Sequence, residues 1–317
     1  MNPKKKWKVL ISAPYFQPVV ERFLRVFEEN GIETVIPAVK ERLSEEALLR
    51  CMNDIDGVIC GDDKFTEKVM MAAPRLKVIS KWGTGIDSID RDAAARRGIA
   101  VRNTPNAFTD PVADTTLGFI LNFARQISWS DQEVKNGNWT KIPSISLREW
   151  TIGIIGVGNI GQAVVRRLNA FGARVLGYDT RMIPEGIIAE LGVEMTTMGR
   201  ILKESDVVTL HCDLNPASVH LVSEDQLNIM KSTAYIINTS RGALIDEAAL
   251  INALQTNRIY GAALDVFEDE PLSLDSPLRS FSRVILASHN ANSSPAAWER
   301  VHHNTIQNLL EELRRRE

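Results

Sequence analysis

The chain has 317 residues, 44% of them hydrophobic and 24% charged, with a formal net charge of −3; that length accommodates two domains of ordinary size, and the composition is globular, not disordered. The near-balanced charge offers no basic excess for nucleic acid or an anionic membrane surface, and no segment approaches the roughly 20 apolar residues of a membrane-spanning helix. Cys51, Cys60 and Cys212 are far apart with no CxxC pair, which argues against a disulfide framework or a zinc cluster and for buried free thiols.

Lys4, Lys5 and Lys6 open the chain with a basic cluster, but Pro14 interrupts the apolar stretch behind it. That stretch is too short for a secretory signal, so a cytoplasmic protein is expected. Apolar runs then recur at Val9–Ser12, Glu33–Ile36, Gly57–Cys60, Leu76–Ser80 and Ile99–Val101. The segment Asn103 to Leu147 separates these from a second set. It holds a predicted helix from about Pro111 to Lys135, with the proline in the first turn and Asn136-Gly137-Asn138 as the stop signal. The second set of runs is Thr151–Ile155, Arg174–Tyr178, Asp206–His211, Ala234–Asn238, Ile259–Leu264 and Arg283–Ala287. A last helix is predicted from Pro295 to Arg314. Its adjacent His302 and His303 are read as helix surface, not as metal ligands, and no metal site is expected. Apolar runs alternating with helices predict parallel strands buried on both faces, in two doubly wound α/β domains.

The most informative local pattern is Gly156-Val157-Gly158-Asn159-Ile160-Gly161, which follows the strand Thr151–Ile155 and precedes a helix predicted to about Phe171. In that context GxGxxG reads as a dinucleotide fingerprint. Gly156 permits the tight turn, Gly158 lets backbone approach a pyrophosphate, and Gly161 allows close helix packing. The phosphates then sit at the positive end of the helix. Asp179 ends the next strand, where it accepts from both ribose hydroxyls and repels a 2′-phosphate. NAD is therefore favoured, a preference that Arg181 weakens slightly by offering a phosphate contact.

Three further polar residues follow predicted strands, where open α/β sheets place ligands. They are Arg241 in Ser240-Arg241-Gly242, Glu270 in the segment Asp265 to Pro271, and His289. Hydride transfer to a 2-keto acid needs a cation for the carboxylate and carbonyl, which suits a planar guanidinium. It also needs an acid for the carbonyl oxygen, which suits an imidazole that titrates near neutrality and is held in place by a carboxylate. Singly, each of these residues is more often a surface cation or a solvated group. Together at strand ends they are candidates for a catalytic set.

The motifs together resemble the D-isomer-specific 2-hydroxyacid dehydrogenase family, in its phosphoglycerate-dehydrogenase-like branch. Lys81-Trp82-Gly83-Thr84-Gly85-Ile86-Asp87 resembles the family's substrate-binding glycine loop, and Asn103-Thr104-Pro105 with Val112-Ala113-Asp114 its crossover. Asn238-Thr239-Ser240-Arg241-Gly242 and the Asp265-to-Pro271 segment are similar to its signatures. The resemblance implies Arg241, Glu270 and His289 as catalytic, and Gly156, Gly158, Asn159, Ile160, Gly161, Asp179, Thr239 and Asp265 as cofactor-binding. Lys81, Gly83, Thr84 and Gly85 are implied as substrate-binding. Asp265 would meet the nicotinamide carboxamide or simply cap its turn, and Trp82 either lines the pocket or fills a core gap.

The same resemblance implies a Rossmann NAD-binding domain, 104–288, inserted in a flavodoxin-like substrate domain formed by 1–103 and 289–317. It also implies catalysis in a cleft that closes by hinging, and a homodimer joined through the cofactor domains. The expected activity is NAD-dependent interconversion of a small D-2-hydroxy acid and its 2-keto acid.

Several residues depart from the family pattern. The segment after the catalytic position, His289-Asn290-Ala291-Asn292-Ser293-Ser294, is polar and lacks glycine. A family proline is replaced in His211-Cys212-Asp213-Leu214, where His211 is read as a packed histidine. The loop Cys60-Gly61-Asp62-Asp63-Lys64 carries two acids where phosphoglycerate-specific enzymes carry arginines. Two acids there would repel a phosphate, and Lys81 from the neighbouring loop would be the nearest replacement cation. The alternatives are phosphoglycerate dehydrogenase proper, a non-enzymatic NAD-sensing corepressor, and a scaffold with a vestigial site. Glu270 argues against formate dehydrogenase, whose corresponding residue is glutamine.

Overall fold

Parallel strands buried on both faces have no polar side to show, which is why the central strands of each sheet read as largely apolar runs. The computed structural model describes residues 6–316; Lys4 and Lys5 of the basic start lie outside the described residues. The chain divides into two compact units, crossing after Phe108 and returning after Ser293. Each crossing falls five residues beyond the position expected from sequence.

The first unit contains β1 (Trp7–Ile11), β2 (Ile32–Val35), β3 (Gly57–Cys60), β4 (Val78–Lys81) and β5 (Ala100–Arg102). They form one parallel sheet in the order β2-β1-β3-β4-β5. β3 and β4 are buried along their whole length, and Leu10, Val58, Ile79, Leu48 and Phe65 fill the core beside them. The helix Pro295–Arg314 is capped by Ser294, whose hydroxyl accepts from the Ala297 N–H. It buries Ala297, Val301, Thr305, Leu309 and Leu313 at four-residue spacing, and the Ser80 hydroxyl donates to the Thr305 carbonyl at 2.8 Å.

His302 falls on this buried stripe, contrary to the surface position expected for it. It is 3% exposed, and its Nδ1 accepts from the Trp82 indole at 3.0 Å. Burial pushes its pKa below the usual histidine value. Trp82, 4% exposed, is therefore a core residue, packed among Tyr15, Phe108, Trp298 and His302. His303 is exposed, as expected.

The second unit contains β6 (Thr151–Ile155), β7 (Arg174–Tyr178), β8 (Glu194–Met195), β9 (Val207–Leu210), β10 (Tyr235–Asn238), β11 (Gly261–Leu264) and β12 (Val284–Leu286). All pair in parallel in the order β12-β11-β10-β9-β6-β7-β8. The order reverses at β6, between β9 and β7, and that switch point is where an α/β sheet leaves room for a ligand. The predicted helix over Pro111–Lys135 is two helices, Thr109–Arg125 and Ile127–Lys135, parted at Gln126 with φ of 54°. Of the three free cysteines only Cys60 is fully buried; Cys51 and Cys212 are half-buried. Among the described residues no helix is long and apolar enough to cross a membrane, and no group of three or more His, Cys, Asp or Glu side chains is arranged to hold a metal ion.

Candidate active site

The glycine turn sits at the carboxyl end of β6, and its geometry requires glycine at two positions. Gly156 has φ of +96°, and a Cβ there would meet the His211 carbonyl carbon at 2.6 Å. A Cβ on Gly161 would meet the Gly156 carbonyl oxygen at 2.1 Å, so only glycine lets the first helical turn fold onto the loop. Gly158 caps the helix Asn159–Ala170, which Asn159 and Ile160 begin. A Cβ on Gly158 would meet only the Arg181 guanidinium, at 3.3 Å, leaving backbone open on that side. This cradle of exposed backbone at a helix N-terminus fits a pyrophosphate.

Asp179 follows β7, with its side chain 5% exposed. Its carboxylate accepts from the Val157 N–H at 2.9 Å and the Arg181 N–H at 2.9 Å, so it ties the glycine turn to the next strand. The Arg181 guanidinium folds back on the same carboxylate at 3.2 and 3.3 Å. Burial pushes the Asp179 pKa up, but Arg181 and the two N–H donors outweigh it and hold the group below the usual carboxylate range.

The catalytic candidates lie on the same edge of the second sheet. Asn238 ends β10 at 1% exposure, donates to the Arg241 carbonyl at 2.8 Å and accepts from the Ser240 N–H at 3.1 Å. Ser240 donates to the Leu210 carbonyl at 2.8 Å, joining this loop to the end of β9. The turn that carries Arg241 is further fixed at Gly242, where a Cβ would fall 1.9 Å from the Phe267 carbonyl carbon. Thr116 donates to the Val112 carbonyl, so Thr239 is the donor in their hydroxyl pair at 3.1 Å, and its own oxygen is left to accept.

Glu270 and His289 are brought together. Glu270 accepts from the Phe267 N–H at 3.0 Å, and its other oxygen lies 2.9 Å from His289 Nδ1. Both side chains remain 28% exposed. His289 has φ of +53°, a left-handed conformation that costs a non-glycine residue about 1 kcal/mol.

Asp265, only 1% exposed, supplies the restraint that holds this turn. Its carbonyl accepts from the His289 N–H at 2.8 Å, and its two carboxylate oxygens accept from Asn290 and Ala291 at 2.7 and 2.9 Å. Burial pushes its pKa up against those donors. The contacts present at Asp265 are thus to the turn. Asn238 and Asp265 position the catalytic candidates through backbone contacts, and in the sequence Asn238 is marked only as a polar residue closing an apolar strand.

Lys81, Gly83, Thr84 and Gly85 belong to the first unit, Lys81 as the last residue of β4 and the other three in the loop that follows. Thr104 and Asn103 brace this loop. The Thr104 N–H donates to the Gly83 carbonyl at 2.9 Å, the Thr84 hydroxyl donates to the Thr104 carbonyl at 3.0 Å, and the Asn103 amide donates to the Thr84 carbonyl at 2.6 Å. Lys81 pairs with Asp62 at 2.9 Å.

The two acids of the 60–64 loop have separate fates. Asp63 is fully buried, accepting from the Ser12 hydroxyl and from the Leu43 and Gly61 N–H groups. Burial pushes its pKa up. Only Asp62 remains partly exposed, so the expectation of two phosphate-repelling acids is corrected to one, already paired.

A sheet of this order with a glycine cradle at its switch point defines a dinucleotide-binding protein. The family model of the D-isomer specific 2-hydroxyacid dehydrogenase NAD-binding domain matches residues 117–291. A glyoxylate reductase of Thermofilum pendens is 41% identical over 276 residues, covering 84% of this chain and 81% of the relative. A D-3-phosphoglycerate dehydrogenase of Methanocaldococcus jannaschii is 38% identical over 294 residues, covering 92% of this chain and 54% of that longer relative. The crystal structure of a D-lactate dehydrogenase from Aquifex aeolicus, complexed with NAD and lactic acid, superposes with a TM-score of 0.85 at 28% identity, covering 97% of both chains. The chain belongs to the D-isomer-specific 2-hydroxyacid dehydrogenase family and is an NAD-dependent oxidoreductase.

Proposed function

We propose that this protein reduces a small, unphosphorylated 2-keto acid of the glyoxylate or hydroxypyruvate kind to its D-2-hydroxy acid, and catalyses the reverse oxidation. The observation that carries the reading is the pairing of His289 Nδ1 with Glu270 at 2.9 Å, on the sheet edge that also carries Arg241. With its proton facing Glu270, Nδ1 leaves Nε2 as the atom that exchanges a proton with substrate.

NAD would be held by Gly156, Gly158, Asn159, Ile160 and Gly161 at the pyrophosphate, and by Asp179 at the ribose. Thr239 and Asp265 would lie at its nicotinamide end. When bound, the nicotinamide supplies or accepts the hydride. Arg241 binds the substrate carboxylate and draws electron density toward the carbonyl oxygen. Protonated His289 gives that oxygen its proton from Nε2 while Glu270 stabilises the imidazolium. In oxidation, neutral His289 takes the hydroxyl proton. In the first unit, the backbone at Thr84 and Gly85, with Gly83 beside it and Lys81 at the end of β4, is the candidate substrate-binding segment.

Similarity to a relative named glyoxylate reductase supports the substrate class, as does a 60–64 loop without arginine. Similarity to a relative named phosphoglycerate dehydrogenase favours a second reading, 3-phosphoglycerate as substrate, against which the Asp62–Lys81 pairing counts. Three unpaired thiols fit a reducing compartment, and we place the enzyme in the cytoplasm. A homodimer through the second unit fits the helix Ile127–Lys135, which buries none of its residues.

The test follows NADH absorbance with glyoxylate, hydroxypyruvate, pyruvate and phosphohydroxypyruvate, for the wild type and His289→Ala. Turnover that collapses in the variant while NADH binding survives supports the reading. Tight NADH binding with no turnover of any keto acid overturns it in favour of a sensor. A preference for phosphohydroxypyruvate selects the second reading.

A further inference from the structure

Lys81 ends β4 and pairs in register with Cys60, the last residue of β3, so the loops that follow the two strands emerge side by side. Its side chain is 5% exposed. A buried ammonium is costly unless an anion compensates it, and Asp62, from the adjacent loop, supplies one at 2.9 Å. The Asp62 carboxylate is itself 47% exposed, so the place it fills opens to solvent. Asp63, the neighbouring acid, is committed elsewhere through the Ser12 hydroxyl and two backbone N–H groups. The ammonium also lies beside the substrate loop: a Cβ on Gly83 would meet the Phe108 ring at 3.7 Å and Lys81 Nζ at 3.9 Å. A cation buried beside the loop proposed to hold the substrate, with its anion contributed by the protein from the solvent side, amounts to a second anion site that is already filled.

We propose that the Asp62–Lys81 pair sets the substrate class of this enzyme. Asp62 takes the position that a second substrate anion would occupy on Lys81. The pair thereby selects 2-keto acids whose third carbon is absent or uncharged, and disfavours those bearing a phosphate or a second carboxylate. This rests on the keto-acid reductase reading above and adds its specificity determinant. Such a contact binds a part of the substrate remote from the reacting carbon, so its effect appears in KM more than in kcat.

The experiment measures kcat and KM for glyoxylate, hydroxypyruvate, phosphohydroxypyruvate and oxaloacetate with the wild type, Asp62→Asn, Asp62→Glu and Asp62→Asn/Lys81→Met. Asp62→Asn keeps an acceptor for the ammonium but removes the competing charge. The expected result is a rise of about tenfold in kcat/KM for phosphohydroxypyruvate relative to hydroxypyruvate, carried by KM and of the size of one charge-assisted contact. Oxaloacetate should gain in the same direction. Asp62→Glu should keep the wild-type preference, and the double variant should lose the gain. Unchanged ratios in Asp62→Asn, while the wild type still turns over hydroxypyruvate, overturn the specificity role and leave the pair purely structural. A gain that persists without Lys81 overturns it as well, by showing that removal of a repulsive charge suffices. Failure of the wild type on every keto acid is a different result: it removes the reductase reading, and this inference with it.

Discussion

The Nδ1 of His289 lies 2.9 Å from a Glu270 oxygen, and the other Glu270 oxygen accepts from the Phe267 N–H. The carboxylate is therefore fixed by backbone on one side and orients the imidazole on the other. Under the proposed mechanism, His289→Ala lowers kcat by roughly 10²–10⁴ with little change in NADH affinity. Glu270→Gln keeps a hydrogen-bond acceptor but removes the negative charge that favours the imidazolium. Its kcat for reduction should fall with NADH affinity retained, and less steeply than in His289→Ala. A kcat unchanged in Glu270→Gln would show that the Glu270 charge plays no part in the proton transfer.

Asp179 and Arg181 make the cofactor preference testable. The carboxylate holds the Arg181 side chain beside Gly158, so ribose hydroxyls reach Asp179 only as that contact is exchanged. Asp179→Ala removes the hydroxyl acceptor and releases the guanidinium. We expect KM for NADH to rise about ten- to a hundredfold, the scale of losing one hydrogen bond to a charged group, while KM for NADPH falls as Arg181 becomes available to a 2′-phosphate. Arg181→Ala should leave NADH usage close to wild type. If Asp179→Ala weakens both cofactors equally, the residue only braces Val157.

The features legible in sequence were those with a local cause. Continuous apolar runs located all the strands of both sheets except β8, whose two residues, Glu194 and Met195, carry no such run. The glycine turn was legible because its spacing, its preceding strand and Asp179 all lie within one supersecondary unit. Distance along the chain hid the rest. His302 carries no local sign of burial because its partner Trp82 is 220 residues away. No local pattern distinguishes Asp62 from Asp63, since Ser12 and Leu43 decide which carboxylate is buried. The helix break at Gln126 has no glycine or proline to announce it.

The proposed dimer has a surface that can be changed without touching the active-site candidates. Beyond Gln126, Ile127 is 56% exposed, Val134 51% and Trp139 92%, on a segment that contributes none of its residues to the core clusters of its own unit except Trp129, partly buried at the edge. Burying a tryptophan of this exposure against a second copy is worth about 1.5–3 kcal/mol. Light scattering should give a dimer for the wild type and a monomer for Ile127→Asp/Trp139→Asp, with NADH binding retained. A monomeric wild type, or a variant that remains dimeric, rejects this surface.

His211 makes acid stability depend on the cofactor turn. Its Nε2 lies 3.0 Å from the Thr209 hydroxyl, its Nδ1 has no hydrogen-bond partner, and its backbone carbonyl abuts Gly156. Burial lowers its pKa to about 3, from 6.5 when exposed. The unfolded chain therefore takes up a proton first as pH falls. The stability this group contributes is complete above about pH 6.5 and is lost progressively toward pH 3, at about 1.4 kcal/mol per unit. Other groups titrate in the same range, so the informative comparison is with His211→Gln, which cannot titrate. Between pH 7 and 5 the Tm of the wild type should fall further than that of His211→Gln, with the two curves parallel above pH 7. NADH should offset part of the wild-type loss, because binding to the folded turn opposes protonation of the unfolded chain. Parallel curves down to pH 5 would mean that His211 meets water in the folded protein and titrates there as it does when unfolded.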